Sequence, residues 1–151
     1  MVVTIYAQEV LNDLRSKSHY EVSAIENAEA RYRIEAGTEK MDEIVRCINE
    51  GVARLSRVMT RWMRSAITSE TDNTSSLPAS WTFDLAISER RAIGKAAPLS
   101  ELVQTFVVEY ALSKFYSDMS VQEYSNKHSV LALDAASRLD DLMYSKMPPL
   151  V

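Results

Sequence analysis

The stretch Met41-Asp-Glu-Ile-Val45-Arg-Cys-Ile-Asn-Glu50-Gly-Val-Ala-Arg-Leu55-Ser-Arg-Val-Met-Thr60-Arg-Trp62 decides the fold. Within it, and on to Ala66, the residues Met41, Val45, Ile48, Val52, Leu55, Met59, Trp62 and Ala66 recur at alternating spacings of four and three. Apolar residues at that rhythm line one face of an α-helix, so the spacing predicts a long helix over Glu39–Ser69 laying one seam against other helices. Gly51 falls inside it, at a cost of roughly 1 kcal/mol against alanine. Either a neighbouring helix approaches closely there or the helix bends.

Outward from this seam, sparse glycine and proline punctuate further helices. Thr4–Lys17 reads as a first helix with Ile5, Val10, Leu11 and Leu14 on its apolar face, and Val22–Ala36 as a highly charged second one. Gly37 reads as a helix C′ residue, with Thr38 placed to cap the next helix. Pro98 suits the first turn of a helix over Pro98–Tyr116 that is apolar nearly all round, which places it centrally in the bundle. Ser120-Val-Gln-Glu123 has the form of a capping box ahead of a fifth helix, Val121–Lys146. Between the seam helix and the central one, Thr68–Ser76 is a polar run unable to bury anything. Trp81-Thr-Phe-Asp-Leu-Ala-Ile87 then alternates at the period of a strand. A lone strand leaves backbone groups unsatisfied. Two alternatives stay open: its large side chains pack across the bundle, or it pairs with a strand of another copy.

The expectation is therefore an all-α bundle of four to five helices with one long extended loop over about residues 68–97. The 151 residues form a single domain. Residues 1–36 read as an N-terminal helical extension, and 68–97 as a mobile or extended arm carrying Trp81, Phe83 and Leu85 as candidate intersubunit contacts.

Composition narrows the function classes. One cysteine, Cys47, excludes an internal disulfide and a multi-cysteine metal site. It reads as a small apolar residue at the edge of the core. No run approaches the ~18 consecutive apolar residues of a spanning helix, and the amino terminus lacks the form of a signal peptide, so the expected location is cytoplasmic, without a membrane partner. Asn73-Thr-Ser75 matches a glycosylation sequon and is taken as chance in that setting.

The net charge of −4 hides an uneven distribution. Residues 1–50 hold ten acids and six bases, residues 51–100 four acids and seven bases, and residues 101–151 seven acids and four bases. In the basic middle, Arg54, Arg57, Arg61 and Arg64 share one arc of about 80° if the seam helix is continuous, and Arg90 and Arg91 follow in the loop. Guanidinium groups suit phosphate, but a charged face is also the ordinary solvated side of an amphipathic helix, or a contact for an acidic neighbour. Solvated face, partner-binding face and DNA-binding face all remain open, and net acidity argues against general nucleic-acid binding.

Catalytic signals are few. His19 and His128 are the only histidines. His128 sits on the apolar stripe of the fifth helix and reads as a satisfied core histidine. Adjacent carboxylates such as Asp42-Glu43 and Asp140-Asp141 diverge by about 100° on a helix and make no metal cage. No phosphate-binding, dinucleotide-binding or zinc-peptidase spacing occurs. The expectation is a protein that is not an enzyme, with no catalytic residue, metal or cofactor.

Trp81-Thr-Phe-x-Leu85, Arg90-Arg91, Val107-Val-Glu-Tyr-Ala-Leu112 and Tyr144-Ser-Lys-Met-Pro-Pro149 together resemble small helical virion proteins of tailed phages and prophages. The type is the head–tail connector or tail-completion protein. The likeness covers residues 40–149 and rests on element order and aromatic positions rather than on a specific motif. It implies a non-catalytic helical subunit that assembles as a ring between portal and tail, binding copies of itself and other virion proteins. Residues 1–36 depart from the type. The alternative is a small cytosolic helical regulator that binds nucleic acid or a protein.

Overall fold

The apolar rhythm from Met41 to Ala66 outlasts the helix that carries it. A computed structural model describes residues 1–64, 68–69, 76–87 and 94–144. In chain order these form β1 (Val2–Tyr6), α1 (Ala7–Val22), α2 (Ala28–Ile34), α3 (Met41–Val58), β2 (Thr68–Ser69), β3 (Ser80–Asp84), α4 (Ala96–Asp118) and α5 (Gln122–Tyr144). The architecture is a helical bundle with a small three-stranded sheet.

The seam helix is α3, which buries Ile44, Val45, Cys47, Ile48, Gly51, Val52 and Leu55. It ends at Val58, well short of Ser69. Thr60–Trp62 tightens into a 3-10 turn, the Thr60 hydroxyl donates to the Ser56 carbonyl at 2.8 Å, and Met63 is extended. Periodicity misplaced this end because Met59 and Trp62 still face the core after the helix has stopped.

Beyond that point the chain runs along β3: the Arg64 N–H donates to the Asp84 carbonyl at 2.8 Å and the Ala86 N–H to the Trp62 carbonyl at 2.6 Å. The partner of the alternating segment is the chain's own amino terminus. β1 pairs antiparallel with β3, Val3 opposite Phe83 and Ile5 opposite Trp81, and β2 pairs on the other side of β3. The expected first helix thus begins only at Ala7. Val2-Val-Thr-Ile-Tyr6 is β-branched and aromatic throughout, a composition that fits a half-buried strand. A slip of β1 by one residue would turn Val3 and Ile5 out of the core, so burial fixes the register.

One hydrophobic cluster runs from Val3 through Val10 and Leu14 to Leu139 and Met143. β1, α1 and Ala36 are accordingly part of the core rather than an added extension, whereas α2 itself buries no residue. α4 is central, as its all-round apolarity predicted: Leu99, Val103, Phe106, Val107, Val108, Leu112 and Phe115 are all buried. At Gly51 a Cβ would lie 3.1 Å from the Val107 carbonyl oxygen, so close approach of α4, rather than a bend, explains the glycine.

Two terminus readings change. Gly37 has an ordinary negative φ of −88° and precedes the 3-10 turn Thr38–Lys40. The carbonyls at the end of α2 are closed instead by Lys40, whose Nζ donates to those of Tyr32, Arg33 and Glu35 at 2.7, 2.7 and 2.8 Å. Ser120, expected to cap α5, ends α4 in a left-handed conformation with φ 62°. The Val121 N–H reaches the Tyr116 carbonyl at 2.8 Å and the Ser120 N–H that of Ser117 at 3.1 Å, the bond pair of a Schellman motif.

Candidate functional site

The three aromatic and aliphatic residues assigned to an intersubunit arm are inside the subunit. Trp81, Phe83 and Leu85 are all buried in the chain's own core, which leaves none of them free to reach a neighbour. That expectation is corrected: the backbone groups that left pairing with another copy open are met by β1 and β2. The polar run of the arm around Asn73, with its sequon, lies outside the described residues.

The basic residues divide. Arg54 and Arg57 project from the exposed side of α3 and make no ion pair among the described residues. Arg61 leaves the helix with the 3-10 turn. It donates to the Tyr144 hydroxyl at 2.7 Å and lies over the rings of Trp62 and Tyr144, which themselves pack edge to face at 5.6 Å. Arg64 follows the extended Met63, past the end of the helix, so the four do not form one helical arc. Arg90 and Arg91 lie outside the described residues.

A charged cluster, by contrast, lies between α1, α4 and α5. His128 on α5 is buried, with Nδ1 2.5 Å from Glu109 Oε2 on α4 and Nε2 2.7 Å from Glu21 Oε2 on α1. Lys17 Nζ, one turn before Glu21, donates to Glu109 Oε1 at 2.8 Å, and Lys127 Nζ approaches Glu21 Oε2 at 3.3 Å. The Tyr116 ring stacks on the imidazole at 5.5 Å, and its hydroxyl donates to Ser18 Oγ at 3.0 Å. Ser18 Oγ also accepts the Ala36 N–H at 2.9 Å, tying the segment after α2 to α1.

Carboxylates on both ring nitrogens are acceptors, so His128 satisfies both only as the imidazolium, with each nitrogen donating. Burial pushes the Glu109 carboxyl upward, but the hydrogen bonds from His128 and Lys17 and their positive charges outweigh it, and the net direction is below the ordinary value. Burial pushes the Tyr116 phenol upward and keeps it protonated. Glu21 Oε1 is buried without a hydrogen-bond partner. A shallow cleft of about 370 Å³, lined by Lys17, Tyr20, Lys127 and Leu131, opens over the cluster.

What this arrangement does is fasten three helices together through charge. Among the described residues no group of three or more His, Cys, Asp or Glu side chains is arranged to hold a metal. No described helix is long and apolar enough to cross a membrane. Cys47 is fully buried, and burial, with Asp118 next to it, pushes its thiol up to about 12. It has the character of a core residue rather than a nucleophile.

Sequence reasoning placed His128 in the core but missed Glu21, Glu109 and Lys17 as its companions. The available signal was Glu109 itself, a lone charge in the apolar run Val107-Val-Glu-Tyr-Ala-Leu112, because a buried charge requires a partner.

The chain matches no family model, no curated protein and no solved structure.

Proposed function

We propose that this chain is a non-enzymatic assembly subunit that works by binding further copies of itself. The observation that supports it is where exposed aliphatic surface lies. Of four large aliphatic side chains exposed among the described residues, Val2, Val130, Leu131 and Leu133, three share one turn of α5. Val130 is 64% and Leu133 69% exposed. Isolated exposed leucines are ordinary, but Leu133, Val130 and Leu131 spread over about 160° of one helix turn among charged neighbours, and clustered exposed aliphatic surface of that kind marks a protein-binding face. The absence of catalysis in this reading rests on His128, whose two nitrogens are both engaged by carboxylates and so offer no lone pair to a substrate proton.

The virion connector or tail-completion type belongs to this same proposal, on the likeness of Trp81–Leu85 and Val107–Leu112. With the Trp81 segment inside the subunit, assembly of such a protein would run through helix faces instead of an arm. Its place would be the cytoplasm, or the particle once assembled. The test is molar mass in solution across a wide range of protein concentration: discrete oligomers are expected, and a constant monomer mass contradicts the proposal.

Arg54 and Arg57 favour a second reading, a helical regulator that binds nucleic acid. Both are exposed and lack a carboxylate partner among the described residues. Such binding must weaken steeply with salt, as phosphate contacts release counterions.

A further inference from the structure

The side chains flanking the α5 patch are ordered in a way that fits a second copy of the same helix. Glu123, Lys127, Asp134 and Arg138 are all exposed, and the helical step puts them within about 60° of one another, beside Val130. Read along the chain, this flank runs acid, base, aliphatic pair, acid, base. Read backwards it runs base, acid, aliphatic pair, base, acid. The midpoint between Glu123 and Arg138 is the same as that between Lys127 and Asp134, and it falls between Val130 and Leu131.

We propose that α5 pairs antiparallel with α5 of a second copy, about a two-fold axis passing between Val130 and Leu131. The proposal rests on the self-association reading above and names its partner and register. At 1.5 Å rise per residue, Glu123 and Arg138 lie about 11 Å on either side of the axis, and Lys127 and Asp134 about 5 Å. The two-fold therefore brings Glu123 level with Arg138 of the second copy, and Lys127 level with its Asp134, each pair occurring twice. The aliphatic turn meets its own image at the centre, giving an apolar middle and a charged rim. A parallel pair in register would set Glu123 against Glu123 and Arg138 against Arg138, so charge selects the antiparallel form. An interface of this kind is self-complementary and closes as a dimer.

The ground beside the helix suits the same partner. Leu131 separates two shallow depressions: the cleft over His128 described above, and one of about 430 Å³ lined by Pro98, Leu102, Asp134 and Arg138. Together they form a trough along the flank of α5 between it and α1 and α4. Within one copy, among the described residues, Lys127 is held by Glu21 at 3.3 Å and Arg138 by Asp134 at 3.0 Å. The Arg138–Asp134 pair is exposed on both sides and contributes little, so exchanging it across the seam costs little, while Lys127 reaches the nearly buried Glu21 from an exposed position.

Charge reversal in the full chain, read by sedimentation or light scattering over a concentration series, tests it. Arg138→Glu alone and Glu123→Arg alone should each weaken dimerisation by about ten-fold or more, because two like-charge contacts replace two attractive ones. The double variant Glu123→Arg/Arg138→Glu should restore the dimer, since each copy again offers both signs. Circular dichroism on every variant separates lost pairing from lost folding, and the restored double variant is informative even where a single one is less stable. If the wild type self-associates and the single reversals leave it unchanged, or the double variant is no better than the singles, this seam is wrong and assembly uses another face. If the wild type is a monomer throughout, the seam and the assembly reading both fail.

Discussion

Glu109 of α4 and His128 of α5 meet inside the bundle across a 2.5 Å hydrogen bond. The pair holds because neither charge is alone. Lys17 closes the second oxygen of Glu109 and Glu21 takes the other ring nitrogen. Breaking one member of such a buried set leaves the others uncompensated. Glu109→Gln is accordingly expected to cost about 3 kcal/mol, read as a lowered urea midpoint at unchanged slope.

The same carboxylate sets an acid limb of stability. Its folded value lies below the ordinary 4.5, so the ionised form is favoured by folding. That contribution is complete above the unfolded value and is lost as pH falls through the lower, folded one. Unfolding free energy should therefore decline on acidification below about 4.5, the value at which the unfolded carboxyl titrates. In Glu109→Gln the decline should be shallower. An equal acid limb in the two proteins would place its origin in other carboxylates.

Gly51 carries a steric prediction. A Cβ there meets a backbone carbonyl of α4 at 3.1 Å, and a helix carbonyl has little room to retreat. The roughly 1 kcal/mol that alanine gains in helix propensity is expected to be overcome by this contact, so Gly51→Ala should lower the thermal midpoint. Gly51→Val should lower it further, by about 1–3 kcal/mol of overpacking.

The sheet gives another. Phe83 is wholly buried, and Phe83→Ala should cost about 3–5 kcal/mol. Because Phe83 packs in its own subunit, the folded fraction of the variant should keep the oligomeric state of the wild type at equal concentration. An intersubunit arm would give the reverse, near-normal stability with lost assembly.

Cys47 provides a reactivity check. With its thiol pushed up to about 12 and fully buried, it should resist a thiol reagent at neutral pH and react at the rate of unfolding. Stoichiometric labelling of the folded protein within minutes would contradict the burial.

The helical bundle was legible in the seam of α3 and the all-round apolarity of α4, since both depend on which residues must leave water. The sheet was half legible. Trp81–Ile87 announced a strand, but Val2–Tyr6 was absorbed into a helix because Ile5, Val10, Leu11 and Leu14 also satisfy a helical face. Only the pairing of Val3 with Phe83, far apart in the chain, separates the two. The charged cluster was least legible. Glu21, Glu109 and His128 sit on three elements and share no local spacing, so nothing but the packing of α1 and α5 on α4 brings them together. The basic arc failed for a local reason: the helix ends at Val58, before Arg61 and Arg64.

Assembly through the α5 patch is tested most directly by the molar mass of the full chain beside that of Val130→Asp/Leu131→Asp, measured by light scattering at the same high concentration. A discrete oligomer is expected for the wild type and a folded monomer for the variant, since two charges would then sit in the middle of the patch. Equal masses for the two folded proteins would contradict assembly through α5.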